Sequence, residues 1–191
     1  MPLAGTAKMP DGILSRCPAP RKGESSAEAL YFGRWSKGKD MNLFGANKAT
    51  KGTVEEVAHM VASYFKGRGL DVATHQLAGA EGVGWWLQEG SAKVYVYVQD
   101  TQMGPVIRVT SPINNIPATN REAFYRKLLD INGNLSSCSL ATHENSVLVV
   151  AQRATNNLDQ SELDDLIWNV AYVADLLDNK LATEFGAPLY T

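Results

Sequence analysis

Cys138 and His143 stand five positions apart, close enough in the chain to suggest a thiol nucleophile with an imidazole base. That pairing serves acyl transfer and hydrolysis when the two side chains are within hydrogen-bond reach. On an extended strand five residues span roughly 16 Å, so contact requires a turn that folds the chain back. No third residue is placed to orient the histidine. Cys138 therefore reads as a small structural thiol, and a cysteine-dependent hydrolase is the third of three functional readings. His59, His75 and His143 fall on three different segments without the short repeat spacing of metal ligands, so no metal site is expected. Gly79, Gly82 and Gly84 form G-x-x-G-x-G, but a phosphate cradle needs a strand, a loop and then a helix. These glycines precede another strand and read as turn residues. Asp159, Glu162, Asp164 and Asp165 open a helix, where negative charge complements the macrodipole, so they read as a solvated first turn. No catalytic residue and no cofactor is expected.

The elements that hold these residues are legible from periodicity. Thr53 and Glu56 form a capping box, and Val54, Val57, Ala58, Val61, Tyr64 and Phe65 recur at helical spacing until Gly67 and Gly69 end the run. The period then changes to two. Residues 71–77, 83–88, 92–99 and 105–111 read as strands joined by links too short for parallel crossovers. Pro112 and Pro117 break the sheet. Thr119 and Glu122 suggest a second capping box, opening a helix with Phe124, Tyr125, Leu128 and Leu129 that ends near Gly133. Strands near 136–142 and 146–152 flank a turn at His143-Glu144-Asn145. Asp159 and Glu162 then cap a helix running to Gly186. The fold class is α+β, an antiparallel β-sheet flanked by three helices in the order α-ββββ-α-ββ-α.

Two surfaces in this scheme exceed what a monomer needs. At 100° per residue, Leu163, Leu166, Ile167, Val170, Ala174, Leu177 and Leu181 fall within about 50° of one line and form the core face of the last helix. Trp168, Tyr172 and Leu176 recur at i, i+4 and i+8 on the opposite side, ringed by Asp165, Asn169, Asp175 and Asn179. An apolar stripe with a polar rim marks an interaction surface, unless a loop or the N-terminal segment covers it. In the sheet, Val94, Val96 and Val98 point one way and Tyr95 and Tyr97 the other, while Trp86 opposes Trp85 and Leu87. If all three helices pack on one face, Trp86, Tyr95 and Tyr97 are left on the other; one helix on each face is the alternative. Trp and Tyr suit interface cores because an apolar body ends in a polar handle.

Bulk composition narrows the function classes. The 191 residues suffice for one well-buried domain. Residues 1–40 carry seven Lys/Arg against four Asp/Glu, net +3, and residues 41–191 carry eleven against sixteen, net −5. The first forty residues, with four prolines and no period, read as a disordered basic leader, with Met41 as an alternative start. Residues 41–191 read as a single domain. Its acidic body disfavours direct nucleic-acid binding. Two cysteines make no disulfide framework, and no apolar run reaches the roughly 18–20 residues of a membrane span. A cytoplasmic setting follows as the expectation.

The stretch from Ser111 to Gly186 resembles the YbjN family, whose fold is that of the class I type III secretion chaperones. The resemblance rests on Ser111-Pro112, Leu128-Leu129-Asp130-Ile131-Asn132, Cys138, Val147–Val150, Leu158-Asp159-Gln160-Ser161-Glu162-Leu163 and Asp175. With the hairpins of residues 71–111 it covers about 140 residues. It implies a small α/β sandwich, often dimeric, related to chaperones that hold partner segments extended; the family is also labelled a sensory transduction regulator. It implies no catalytic residues.

The leading expectation is a non-catalytic protein-binding module, chaperone-like or regulatory, acting as a homodimer on a soluble protein partner. The alternative is a regulator of nucleic-acid transactions, through a partner protein or the basic leader. Trp86, Tyr95, Tyr97, Trp168, Tyr172 and Leu176 are the candidate dimer and partner contacts.

Overall fold

Thr53 accepts the backbone N–H of Glu56, whose carboxylate accepts the N–H of Thr53 in return, and this capping box starts helix α1, Val54–Gly67. The computed structural model describes residues 52–78 and 82–190. The basic leader, its Leu30-Tyr31-Phe32 group, Trp35, Met41 and Gly79 lie outside the described residues. Val57, Val61, Tyr64 and Phe65 form the buried face of α1. Gly69, with φ of 71°, lets the chain turn away at its end.

The segment expected as the first strand is instead a single turn of 3-10 helix, Val72–His75. Local polar bonds win there. Asp71 accepts the N–H of Ala73, and the Thr74 hydroxyl donates to the Asp71 carbonyl. Only Gln76 keeps a bridge to the sheet, opposite Trp85, which shields the sheet edge.

Five strands follow: β1 Val83–Glu89, β2 Ala92–Thr101, β3 Gly104–Asn115, β4 Ser139–His143 and β5 Ser146–Ala154. All pairs are antiparallel, in the spatial order β1-β2-β3-β5-β4. The observed order is thus α-βββ-α-ββ-α, one strand fewer than the periodicity suggests. β3 bulges between Pro112 and Asn114, where proline has no N–H for the ladder. Beyond the N-terminal start of β2, the C-terminal segment runs beside β3, the Asn115 N–H reaching Pro188 and the Tyr190 N–H reaching Ile113. Asn114 is fully buried and donates to the carbonyls of Asp178 and Ala187, tying that segment down.

Helix α2, Arg121–Asn132, begins at Asn120 in the left-handed region without a side-chain cap. The capping box expected from Thr119 and Glu122 does not form, because the helix starts one residue later, with Asn120 as its N-cap, and Glu122 becomes its second residue. Helix α3, Gln160–Phe185, has the box expected from Asp159 and Glu162 and ends at Gly186 with φ of 61°.

All three helices contribute to one core with a single face of the sheet. Trp85, Leu87, Val94, Val96, Val98, Ile107, Val109, Val147 and Val149 meet Phe65, Phe124, Leu163, Ile167, Val170 and Leu181 there. Of the two packing schemes open from the sequence, the one with every helix on the same side is observed. The register places Trp86 opposite Tyr95 and Tyr97 opposite Arg108 on the far face.

Candidate partner-binding surface

The residues named in the resemblance act as fasteners in this frame. Asp175 on α3 accepts both the N–H and the hydroxyl of Ser91, in the turn between β1 and β2. Asp178, one turn on, accepts from the same hydroxyl at 2.6 Å. Hydrogen bonds from Ser91 hold the Asp175 carboxyl below the usual carboxylate range. Asn132 at the end of α2 brackets Leu140, accepting its N–H at 2.6 Å and donating to its carbonyl at 3.0 Å. That amide occupies backbone groups on the outer side of β4, an otherwise unpaired edge. Gln160 donates to the Met60 carbonyl and to Asp164, joining α1 to α3. Ser111 donates to the Lys93 carbonyl at 3.0 Å.

The catalytic pairing has no support in the geometry. Cys138 packs beside the core just ahead of β4, and burial pushes its thiol up, away from the reactive thiolate. His143 ends β4, and its Nε2 is buried without a hydrogen-bond partner. Among the described residues, no three His, Cys, Asp or Glu side chains group as metal ligands. Gly82 precedes β1 and Gly84 lies within it, and the next element is β2 rather than a helix. Asp159 and Glu162 are spent on the α3 cap and on Arg153, which meets Glu162 at 3.0 Å. Cys138→Ser is expected to lower stability by at most about 1 kcal/mol, because the thiol is only half buried and holds no partner. Chemical denaturation of the two proteins checks this, and a loss above about 3 kcal/mol would contradict it.

The α3 stripe is the most exposed apolar feature on the long helix. Trp168, Tyr172 and Leu176 are 47%, 52% and 55% exposed, although Leu163, Ile167, Val170 and Leu181 on the other side are sealed. The Trp168 and Tyr172 rings stack face to face, with centroids 4.9 Å apart and planes 7° from parallel. Stacking removes the rotamer freedom of two large side chains before anything binds, lowering the entropic cost of contact. Asp165 and Asn179 flank the stripe.

The far sheet face differs from the expectation of an open aromatic surface. Trp86 and Tyr95 are half-buried, and Tyr97 is buried. Tyr95 and Tyr97 stack at 6.4 Å, and the Lys93 ammonium lies over the Trp86 and Tyr95 rings at 4.8 and 5.5 Å. Trp86 also packs against His75. The structure thus brings Trp168, Tyr172 and Leu176 together on one surface and Trp86, Tyr95 and Tyr97 on another.

A further exposed pair was missed from sequence. Tyr125 and Leu129 on α2 are 39% and 69% exposed, while Phe124 and Leu128 point inward. The signal was present: in the doublets Phe124-Tyr125 and Leu128-Leu129, adjacent helical residues diverge by 100°, so only one of each faces the core.

Beyond Trp168, the stripe leads into a shallow depression of about 440 Å³, lined by Ser63, Tyr64, Arg68, Asp164, Asp165 and Trp168 where α1 meets α3.

Helices on one side of an antiparallel sheet, fastened turns and a solvent-facing aromatic stripe define a small α+β protein with an exposed apolar surface. The chain belongs to the family of T3SS (YopN, CesT) and YbjN peptide-binding chaperones, chaperone 1, whose model matches residues 81–189, more than half of the sequence. A chain from the crystal structure of the ExsC–ExsE complex is similar in fold, at 13% identity and a TM-score of 0.52, covering 69% of this chain and 97% of that one. A chain from the heterodimeric ExoU–SpcU complex of the type III secretion system of Pseudomonas aeruginosa matches at 14% identity and a TM-score of 0.47, covering 62% and 95%. No curated protein matches this chain. Among the described residues, no helix is long and apolar enough to cross a membrane.

Proposed function

We propose that this protein is a non-catalytic, peptide-binding chaperone or regulator that holds a segment of a soluble protein partner against the α3 stripe. The observation that carries this reading is the exposure of Trp168, Tyr172 and Leu176 in a row, on a helix whose opposite side is sealed. An exposed aromatic cluster with a polar rim has the composition of an interface core. Membership of a peptide-binding chaperone family supports a binding role. The half-buried Trp86 and Tyr95, beside Tyr97, are assigned to a two-fold contact with a second copy, so the working form is a homodimer in the cytoplasm. Such a contact presents the same patch from both subunits.

Light scattering at tens of micromolar tests the second part of this reading. The wild-type chain is expected at the mass of a dimer, and Trp86→Glu with Tyr95→Lys at the mass of a folded monomer. A monomeric wild type would remove the homodimer from the account. Direct nucleic-acid binding, the competing role, predicts affinity that falls steeply with added salt, whereas an apolar interface changes little.

A chain starting at Met41 is expected to unfold with the same midpoint as the full protein. A segment rich in Pro, Gly, Ser and basic residues offers little apolar surface to bury. A loss above about 1 kcal/mol on removing residues 1–40 would show that the leader packs on the domain.

A further inference from the structure

Tyr64 is 8% exposed, and its hydroxyl is buried without a hydrogen-bond partner, which is costly for a polar group. It sits in the wall of the depression between α1 and α3, with Asp164, Asp165 and Trp168 around it. Burial pushes its phenol up, the Arg68 charge pulls it back down, and the smaller effects of Glu89 and then Asp164 push it up again. The one cation in the wall, Arg68, lies over the Tyr64 ring at 5.0 Å and is held by the Glu89 carboxylate. Asp164 accepts from Gln160 through one oxygen, and Asp165 is exposed beside it. Gly67 in the wall closes the last turn of α1, the end where a helix dipole favours positive charge and where Lys66 and Arg68 already stand. The facing start of α3 is already neutralised by Asp159 and Glu162. The notch therefore offers two carboxylates, a helix C-terminus, a phenol oxygen lacking a donor and an indole that lines the wall.

We propose that this notch receives a guanidinium or ammonium group, the arginine or lysine side chain of the partner segment that lies on the α3 stripe. The proposal rests on the reading of that stripe as the partner site and adds the chemistry it selects. Asp164 and Asp165 accept the cation's N–H groups, and the Tyr64 oxygen accepts one more. Trp168 provides a π surface beside the charge and continues through its stack on Tyr172 to the apolar row. The selected motif is thus a basic residue followed by apolar ones. An anion finds only Arg68, which Glu89 already holds.

The test is an NMR titration of the full chain with a synthetic peptide, acetyl-Arg-Ala-Leu-Leu-Ala-Phe-amide, and its citrulline counterpart, which keeps the shape and loses the charge. The arginine peptide is expected to shift the Trp168 indole N–H signal and to bind at least about tenfold tighter than the citrulline peptide, the usual worth of a charge-assisted pair. Asp164→Asn with Asp165→Asn should erase that preference. Tyr64→Phe should weaken the arginine peptide several-fold while leaving the melting temperature equal or higher, since it removes an unpartnered hydroxyl. No binding by the arginine peptide, or a Tyr64→Phe chain with undiminished affinity, overturns the notch. Equal binding of both peptides with shifts on Trp168 and Tyr172 overturns the notch and leaves the stripe standing as a partner site. Replacing Arg34, Lys37 and Lys39 by Gln in the full chain should change nothing; a tenfold rise in affinity would mean that the leader occupies the notch, overturning the assignment to a partner.

Discussion

Gly90→Val is expected to destabilise the protein by about 2–3 kcal/mol, while Gly69→Val costs only about 1 kcal/mol. Both glycines lie in the left-handed region, with φ of 57° and 71°, so both substitutions bear the same backbone strain. They differ in surroundings. A side chain on Gly90 would start 2.3 Å from the Asp175 carboxylate, whereas nothing lies within 4 Å of Gly69. The turn between β1 and β2 must sit flush against α3 for Ser91 to reach Asp175 and Asp178, and only glycine permits that approach. In an Asp175→Ala background the extra cost of Gly90→Val should shrink, because the clash is removed with its carboxylate. Equal losses at Gly90 and Gly69 would show that the clasp does not hold the turn. The clasp and the α3 cap together predict acid sensitivity. Asp159, Glu162 and Asp175 all titrate below the usual carboxylate range, each mainly through hydrogen bonds. Groups depressed in the folded state contribute stability that is fully present above their unfolded pKa of about 4 and lost as pH falls through the folded values. Stability should therefore hold from neutral pH down to about 4 and decline below it.

The second large effect is on binding. Trp168→Glu with Tyr172→Lys should weaken the partner complex by at least about thirtyfold, since truncating an aromatic anchor in an interface core costs about 2–4 kcal/mol. Folding should survive, because both side chains are about half exposed and neither belongs to the core. The comparison is Met103→Glu, which alters a side chain that is 91% exposed at the far turn between β2 and β3. Isothermal titration with the isolated partner separates the two. Undiminished affinity in the double variant would remove the stripe from the account.

The sequence made the frame legible wherever one signal dominated. Helical spacing marks α1 and α3, and the i to i+8 recurrence of Trp168, Tyr172 and Leu176 marks the stripe. Alternation assigned Val94, Val96 and Val98 to one face and Tyr95 and Tyr97 to the other, as the register shows. It failed where two signals compete. Residues 71–77 alternate like a strand, yet Asp71 and Thr74 satisfy backbone groups locally, and a turn results. Thr119 and Glu122 match a capping box in spacing, but the helix begins too late to use them. The notch was beyond sequence altogether, because Tyr64 and Asp164 meet only where α1 and α3 cross. The role of Asp175 was equally hidden, since its partner Ser91 lies 84 positions away.

In the proposed function, the α3 stripe contacts a polypeptide partner. Site-specific photocrosslinking in the native host tests it most directly, with benzoylphenylalanine placed at Tyr172, at Leu176 and, as control, at Met103. A discrete adduct is expected from Tyr172 and Leu176 and none from Met103, with a mass matching a protein other than a second copy of this chain. Adducts of equal yield from all three positions, or none from the stripe, would contradict it.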